Sequence, residues 1–267
     1  MLALAVLVTL AGASEAISAR TLTEIRQRGV LRIGVNPNFP FNSYYGPRNE
    51  LEGFDIDVGR ELARALAVKA VFVPTETALR VPFIASGRID VSLGALTRTP
   101  QREQLIDFTI PVHTEAMGVL TTDRTPVANW HELNQPFIRL VNMRGNSSVP
   151  FTQAQLPKAQ LLLVDGNADT IRAIAQGRAD ALVENVAFFM AFTKQYPDVH
   201  WRVLPEPIEV GYCGAGVQKG NSELRTALNQ TLERLHRDGT IARTWQRWYQ
   251  SPMLGTLDVD AELSGRR

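Results

Sequence analysis

Hydrogen-bond donors gather in residues 94–102, GALTRTPQR, directly behind the apolar run 89–93. Thr97 supplies a hydroxyl and Arg102 a planar guanidinium, which matches the two oxygens of a carboxylate. Charge-assisted bonds of this kind are about twice as strong as neutral ones. The segment therefore indicates an anion site where a buried strand ends. The alternative is a surface arginine at the start of a helix after Pro100, because most arginines are solvated.

The elements that must position these donors alternate between strands and helices. We predict strands over 30–35, 70–74 and 89–96, an amphipathic helix within 53–68, and a second helix that ends at Gly87. Near-continuous apolar strands suit a sheet that is covered on both faces. This alternation predicts a parallel α/β sheet.

The pattern restarts after residue 122 and predicts a second, smaller α/β unit over about 115–211. The chain then returns to a strand followed by two helices. Ser222 is the predicted N-cap of the first of these helices, whose buried face carries Leu224, Leu228, Leu232 and Leu235. The tail beyond Met253 has no periodicity, and we expect it to be loose.

Composition bounds the class of protein. The chain has 267 residues, 45% of them apolar and 21% charged, with a net charge of +1. This is typical of a globular protein of one or two lobes, and no nucleic-acid partner is expected. Cys213 is the only cysteine, so no intrachain disulfide can form. The four histidines lack metal-ligand spacing, and neither a metal nor a cofactor is expected.

The N-terminus predicts a secretory signal peptide over residues 1–19. An apolar run of about ten residues is followed by small residues, and it is too short to span a bilayer. The basic residues that usually precede such a run are missing, so a buried helix is the alternative. The signal predicts secretion to the periplasm.

Four segments in order resemble the bacterial extracellular solute-binding proteins of family 3, the periplasmic receptors of amino acid ABC importers. They are GFDIDVGRELARAL, LRVPFIASGRID, TRTPQREQLIDFTIP and QGRADALVEN. The resemblance covers about residues 21–249. It implies a two-lobed α/β periplasmic binding protein of type II, with two hinge strands and a ligand cleft between the lobes.

Carried onto this chain, the resemblance implies a discontinuous first lobe. Lobe 1 would comprise residues 20–114 and 212–254, and lobe 2 residues 115–211. The hinges would run near 114–121 and 208–213, and 255–267 would be the loose tail.

The resemblance also assigns ligand-binding residues. It implies that Arg102 binds the ligand's carboxylate with help from Thr97, while Arg98 should face away by strand alternation. Asn146 and Ser147 stand where the family presents donors at a helix N-terminus, although Ser147 or Ser148 could simply cap that helix. Phe39 matches the family's aromatic wall, with a core phenylalanine as the alternative.

Asn36 and Asn185 depart from the family pattern. Aspartate usually stands at the position of Asn185, where it holds the ligand's α-ammonium, and often at that of Asn36. A neutral amide loses the charge-assisted part of that bond, and Glu184 should point to the opposite face of its strand. Thr77 stands where several relatives have a second aromatic ring. These departures predict a ligand that keeps its carboxylate but lacks a free α-ammonium, with a standard polar amino acid as the second choice.

The implied function is the substrate-binding component of an ABC importer, with an inner-membrane permease as partner and a monomeric chain. The alternative is an enzyme like cyclohexadienyl dehydratase on the same fold. The resemblance implies that such enzymes need a carboxylate where this chain has Phe188, so we expect no enzymatic activity.

Overall fold

The structure is a computed structural model that describes residues 20–255 and 257–263. The predicted signal peptide, 1–19, lies outside these residues. Within the described ranges no helix has the length and apolar character needed to cross a membrane.

Twelve strands and ten helices alternate along the described residues. The strands are β1 Val30–Val35, β2 Asn38–Phe39, β3 Ser43–Tyr45, β4 Leu51–Glu52, β5 Lys69–Pro74, β6 Val91–Ser92, β7 Ile106–Thr122, β8 Arg139–Met143, β9 Gln160–Val164, β10 Ala181–Asn185, β11 Trp201–Val203 and β12 Glu209–Gln218. The helices are α1 Leu22–Arg28, α2 Phe54–Ala65, α3 Arg80–Ala85, α4 Pro100–Glu103, α5 Ser148–Gln155, α6 Asn167–Ala175, α7 Val186–Phe192, α8 Ser222–Arg237, α9 Thr240–Tyr249 and α10 Val259–Leu263.

One large sheet runs in the order β5-β1-β6-β12-β7-β10-β8-β9, with β11 paired to β7. The pairs β1/β5 and β8/β9 are parallel, whereas β12 pairs antiparallel with β7. Each lobe therefore has its own parallel strands, and β7 and β12 connect the two lobes. The α/β two-lobed fold is confirmed.

The two connecting strands contain the residues expected at the hinges. The antiparallel register runs from Glu209 opposite Met117 to Cys213 opposite His113. The largest hydrophobic core joins residues from both ends of the chain, such as Leu31 and Phe54 with Leu228. This packing supports a discontinuous first lobe.

A glycine is required where α2 begins. Gly53 has a φ of 132°, and a Cβ there would lie 2.4 Å from the carbonyl oxygen of Asn42. An L-residue rarely adopts this backbone conformation, and the clash is with backbone. The family-like Gly-Phe-Asp opening of α2 therefore has a steric cause.

Three details differ from the sequence expectations. The strand predicted over 89–96 is reduced to β6, because the chain turns at Gly94, whose φ is 82°. The N-cap of α8 is Asn221 rather than Ser222. The prediction of a loose tail is wrong for α10, because Glu262 and Asp260 form ion pairs with Arg98 and Arg237.

Candidate functional site

A cleft lies between the lobes, at the carboxyl ends of β1, β6, β8 and β10. Open α/β sheets bind ligands in this position, because loops from several strands converge there. Six of the seven predicted site residues line the cleft: Asn36, Phe39, Thr97, Asn146, Ser147 and Asn185.

Arg102, the seventh, lies beside the cleft on α4. Thr99 accepts a hydrogen bond from the Arg102 backbone N–H and caps this helix, with Pro100 in its first turn. The Arg102 Nη1 donates to the Thr97 carbonyl at 2.7 Å, and its Nη2 donates to the Gly145 carbonyl at 3.0 Å. A guanidinium has five N–H groups, so three remain for a ligand.

Hydrogen bonds cross the cleft and hold the lobes together. The hydroxyls of Thr97 and Ser147 lie 3.0 Å apart, and Asn167 Nδ2 donates to the Asn38 carbonyl at 2.9 Å. The bond from Arg102 to Gly145 is a third crossing contact. The structure is therefore the closed form of the cleft.

Closure also needs a glycine at position 145. Gly145 has a φ of 77°, and a Cβ there would lie 2.8 Å from the Cα of Ala78 in the other lobe. Because the contact atom belongs to the backbone, it cannot move aside as the end of a flexible side chain could. This close approach makes Gly145 part of the closing surface.

We expect Gly145→Ala to weaken ligand binding about tenfold or more, because the added methyl group separates the lobes. Gly220→Ala is the matched control, since Gly220 has a φ of 82° with open space around it. Both variants should lose about 1 kcal/mol of stability from the left-handed backbone. Calorimetric titration of the two variants checks this, and equal affinities would contradict it.

Asn36 and Phe39 form one wall of the cleft. Asn36 Nδ2 donates to the Thr77 hydroxyl at 2.9 Å, and its Oδ1 accepts from the Asn38 N–H at 3.0 Å. Phe39 packs edge-on against Phe188, with ring centroids 5.5 Å apart. Each lobe therefore contributes one aromatic ring to the cleft, Phe39 from lobe 1 and Phe188 from lobe 2.

The start of α5 is capped differently from the two alternatives in the sequence. Asn146 Oδ1 accepts a hydrogen bond from the Ser148 N–H at 2.8 Å, whereas Ser147 makes no capping bond. The Ser147 hydroxyl instead faces Thr97 across the cleft. It is thus available to a ligand.

The predicted orientation of Glu184 is wrong. Both Glu184 and Asn185 line the cleft. The alternation of a regular strand ends here, because Asn185 is the last residue of β10 and also caps α7 by accepting from the Ala187 N–H at 2.8 Å. Glu184 accepts hydrogen bonds from the Asn146 side chain and, at 2.7 Å, from the Asn185 N–H.

Burial raises the pKa of Glu184 from 4.5 to about 7, and the nearby negative charge of Glu115 adds to this shift. Desolvation disfavours a charged carboxylate, and a like charge does the same. Near neutral pH, Glu184 therefore exists in both protonation states.

This shift predicts a pH-dependent stability. Because the folded-state pKa lies above the ordinary value, the stability that protonated Glu184 contributes is lost as the pH rises toward about 7. Glu184→Gln removes this titration. We expect the variant to be more stable than the native protein at about pH 8, by at most about 3 kcal/mol, and equally stable near pH 4.5.

Urea unfolding at both pH values measures this difference. Glu206→Gln, at an exposed position outside the helices and strands, is the matched control and should change neither curve. A stability difference between Glu184→Gln and the native protein that is the same at both pH values would contradict the buried titration.

Two charged residues of the cleft escaped the sequence analysis. Glu115 in β7 accepts a hydrogen bond from Asn185 Nδ2 at 2.9 Å. Arg80, the first residue of α3, lines the cleft and is only 4% exposed. A charge inside an apolar strand and an arginine in an apolar helix were the signals. Arg98 pairs with Glu103 and Glu262 and lines a pocket beside the cleft, with which it shares Thr97 as a wall.

Known proteins resemble the chain over most of its length. The family description "Bacterial extracellular solute-binding proteins, family 3" matches residues 31–251. The ABC transporter glutamine-binding protein GlnH of Bacillus subtilis is 23% identical over 88% of this chain and 87% of its own length. Cyclohexadienyl dehydratase of Pseudomonas aeruginosa is 26% identical over 74% of each chain.

Two solved structures give the same picture. A structure described as an ancestral amino acid-binding protein, a precursor of cyclohexadienyl dehydratase, has a TM-score of 0.79 and 29% identity, covering 85% of this chain and 99% of its own. A solute receptor for L-cysteine from Neisseria gonorrhoeae has a TM-score of 0.79 and 29% identity, covering 86% and 93%.

Proposed function

Because this chain belongs to the bacterial extracellular solute-binding proteins of family 3, we propose that it captures an amino acid as the receptor of an ABC importer. One observation carries the choice of ligand. The cleft region contains two guanidiniums and two carboxylates, and no ion pair joins them to each other in the described part of the chain. Charges of both signs that are buried or half-buried and form no ion pair with one another suit a zwitterion.

The ligand's carboxylate is proposed to bind between Arg102 and the hydroxyls of Thr97 and Ser147. Arg102 keeps three unused N–H groups, and each hydroxyl can donate one bond. The two hydroxyls come from opposite lobes and lie 3.0 Å apart. A carboxylate shared between them would favour the closed form over the open one.

The ligand's ammonium is proposed to bind near Glu115 and Glu184. The prediction of a ligand without an ammonium assumed that Glu184 points away, and this assumption is wrong. Glu115 also compensates for the missing aspartate at position 185, because Asn185 donates to it at 2.9 Å. The carboxylates therefore support a free α-amino group.

Secretion through residues 1–19, the carboxylate contact and the monomeric state remain parts of the proposal. The permease is proposed to recognise the closed arrangement of the lobes, which differs from the open one across the cleft. The amino acid relatives support this partner.

A thermal-shift screen of the twenty standard amino acids tests the function. At a thousand times its Kd, a ligand adds about 4 kcal/mol to the stability of the native state, which raises the Tm by about 10 °C. At least one amino acid should produce a shift of this size. A flat result across the panel would contradict the proposal.

A second candidate function is a dehydratase, because Glu184 combines a position in the cleft with a pKa of about 7, as a general acid requires. Against it, the resemblance implies that Phe188 stands where such enzymes have a carboxylate, and Phe188 packs on Phe39. Incubation with prephenate and with arogenate decides between the two. Turnover well above background that is lost in Glu184→Gln would favour the enzyme.

A further inference from the structure

We propose that Arg80 binds a second acidic group of the ligand, so that the receptor selects amino acids with a carboxylate side chain over their amides. This inference rests on the proposed function and names the ligand class for the same cleft. Arg80 lies outside the segment that carries the carboxylate-binding Arg102, and its role follows from its own surroundings.

The guanidinium of Arg80 is fixed along one edge. Its Nε donates to the Thr77 carbonyl at 3.1 Å, and its Nη1 donates to the carbonyls of Gly94 and Ala95 at 2.5 and 3.1 Å. Among the hydrogen bonds of the described residues, none involves its Nη2. The side chain lines the cleft, so a held guanidinium offers its remaining N–H groups to a ligand.

The charge of Arg80 has no counterion. Its side chain is almost fully buried, and within 20–255 and 257–263 no carboxylate oxygen lies within 4.0 Å of it. A buried charge without a partner is costly, and a cation at a helix N-terminus is opposed by the helix dipole. Burial and the positive charge of Arg102 lower the pKa of Arg80 to about 9. An anion in the cleft would relieve each of these costs.

Arg80 and Arg102 are held in different surroundings. Arg102 lies with Thr97 at the lobe-crossing hydroxyls, where the α-carboxylate is proposed to bind. Arg80 lies with Thr77 and Gly94 on the lobe 1 wall, beside the amide of Asn36. Each guanidinium is held by its own backbone carbonyls, and a ligand with two carboxylates can pair with both.

The net charge of the cleft agrees with this ligand class. Two guanidiniums face Glu115 and a Glu184 whose pKa of about 7 leaves it partly neutral. The balance is therefore positive rather than zero, and an amino acid with an acidic side chain carries a net negative charge. A neutral zwitterion would leave one guanidinium unpaired.

A purely structural role is the competing explanation, because Arg80 also holds the turn at Gly94 and Ala95. The two roles differ in what a variant changes. A structural residue affects all ligands alike, whereas an anion-binding residue changes the ratio of affinities for an acid and its amide. This ratio is the quantity to measure.

Calorimetric titration with L-glutamate, L-glutamine, L-aspartate and L-asparagine tests the inference on the native protein, Arg80→Lys and Arg80→Met. The native protein should bind at least one acid about tenfold or more tighter than its amide. Arg80→Met should weaken that acid by about 30-fold to 1000-fold and change the amide by less than about threefold. Arg80→Lys should keep part of the preference, because it keeps the charge. Arg88→Met, at an exposed arginine over Phe83, is the matched control and should change nothing.

Native protein that binds an amide as tightly as the corresponding acid overturns the inference while the proposed function stands. Equal losses for acid and amide in Arg80→Met also overturn it and assign Arg80 to the turn. Should Arg80→Met fail to fold, the native and Arg80→Lys ratios alone decide the question. If none of the four ligands binds but another amino acid does, the acidic ligand class is wrong. If no amino acid binds at all, the proposed function fails with it.

Discussion

Arg102→Ala is expected to abolish measurable amino acid binding in a protein that still folds. The variant removes the guanidinium that lies beside Thr97 and donates to the Gly145 carbonyl of the other lobe. Truncating one partner of a buried charged pair costs about 2–5 kcal/mol, or roughly 30-fold to several thousand-fold in Kd. The lost contact between lobes adds to the effect.

Calorimetry and circular dichroism on the same samples separate binding from folding for this variant. Arg88→Ala is the matched control, because Arg88 is an exposed arginine over Phe83 and lines neither the cleft nor the pocket beside it. It should bind the ligand like the native protein. Unchanged affinity in folded Arg102→Ala would remove Arg102 from the site.

Glu115→Gln is expected to weaken amino acid binding by about 30-fold to 100-fold. The substitution keeps the shape and an oxygen that can accept from Asn185, which now donates to Glu115 at 2.9 Å. It removes the charge proposed to hold the ammonium, which is worth about 2–3 kcal/mol in a charged hydrogen bond. The pKa of Glu184 should fall in the same variant, because the charge of Glu115 helps to raise it.

The control for this variant is Glu206→Gln, at an exposed position that lines neither the cleft nor the pocket beside it. It should leave the affinity unchanged. A Glu115→Gln protein that binds amino acids as well as the native one would leave Glu184 as the sole candidate for the ammonium. The double variant Glu115→Gln, Glu184→Gln should then bind no amino acid.

Local patterns predicted the fold well where periodicity and packing agree. The strand 30–35 matches β1, and the four leucines of α8 are all buried. The length of β6 was predicted wrongly, because an apolar run does not reveal the turn that the chain makes at Gly94. Helix α10 escaped because ion pairs with Arg98 and Arg237, distant in sequence, hold it in place.

The residues of the site were likewise predicted where a sequence motif contains them and missed elsewhere. Segments with a motif pointed to Thr97, Asn146 and Ser147, which the fold brings to one cleft. Arg80 and Glu115 were missed, because a charge in an apolar helix or strand indicates an unusual environment but does not show which cavity it lines. The orientation of Glu184 failed for a local reason, since strand alternation does not hold at a residue where a strand passes directly into a helix cap.

The most direct test that the cleft recognises a free amino acid compares the tightest-binding amino acid of the panel with its deaminated analogue, which lacks only the α-amino group. Because Glu115 and Glu184 are proposed to hold the ammonium, we expect the amino acid to bind about 100-fold or more tighter than the analogue in calorimetric titration at neutral pH. We also expect this difference in affinity to be smaller in Glu115→Gln. A deaminated analogue that binds as tightly as the amino acid would contradict the proposed ammonium site, because the cleft would then recognise the carboxylate alone.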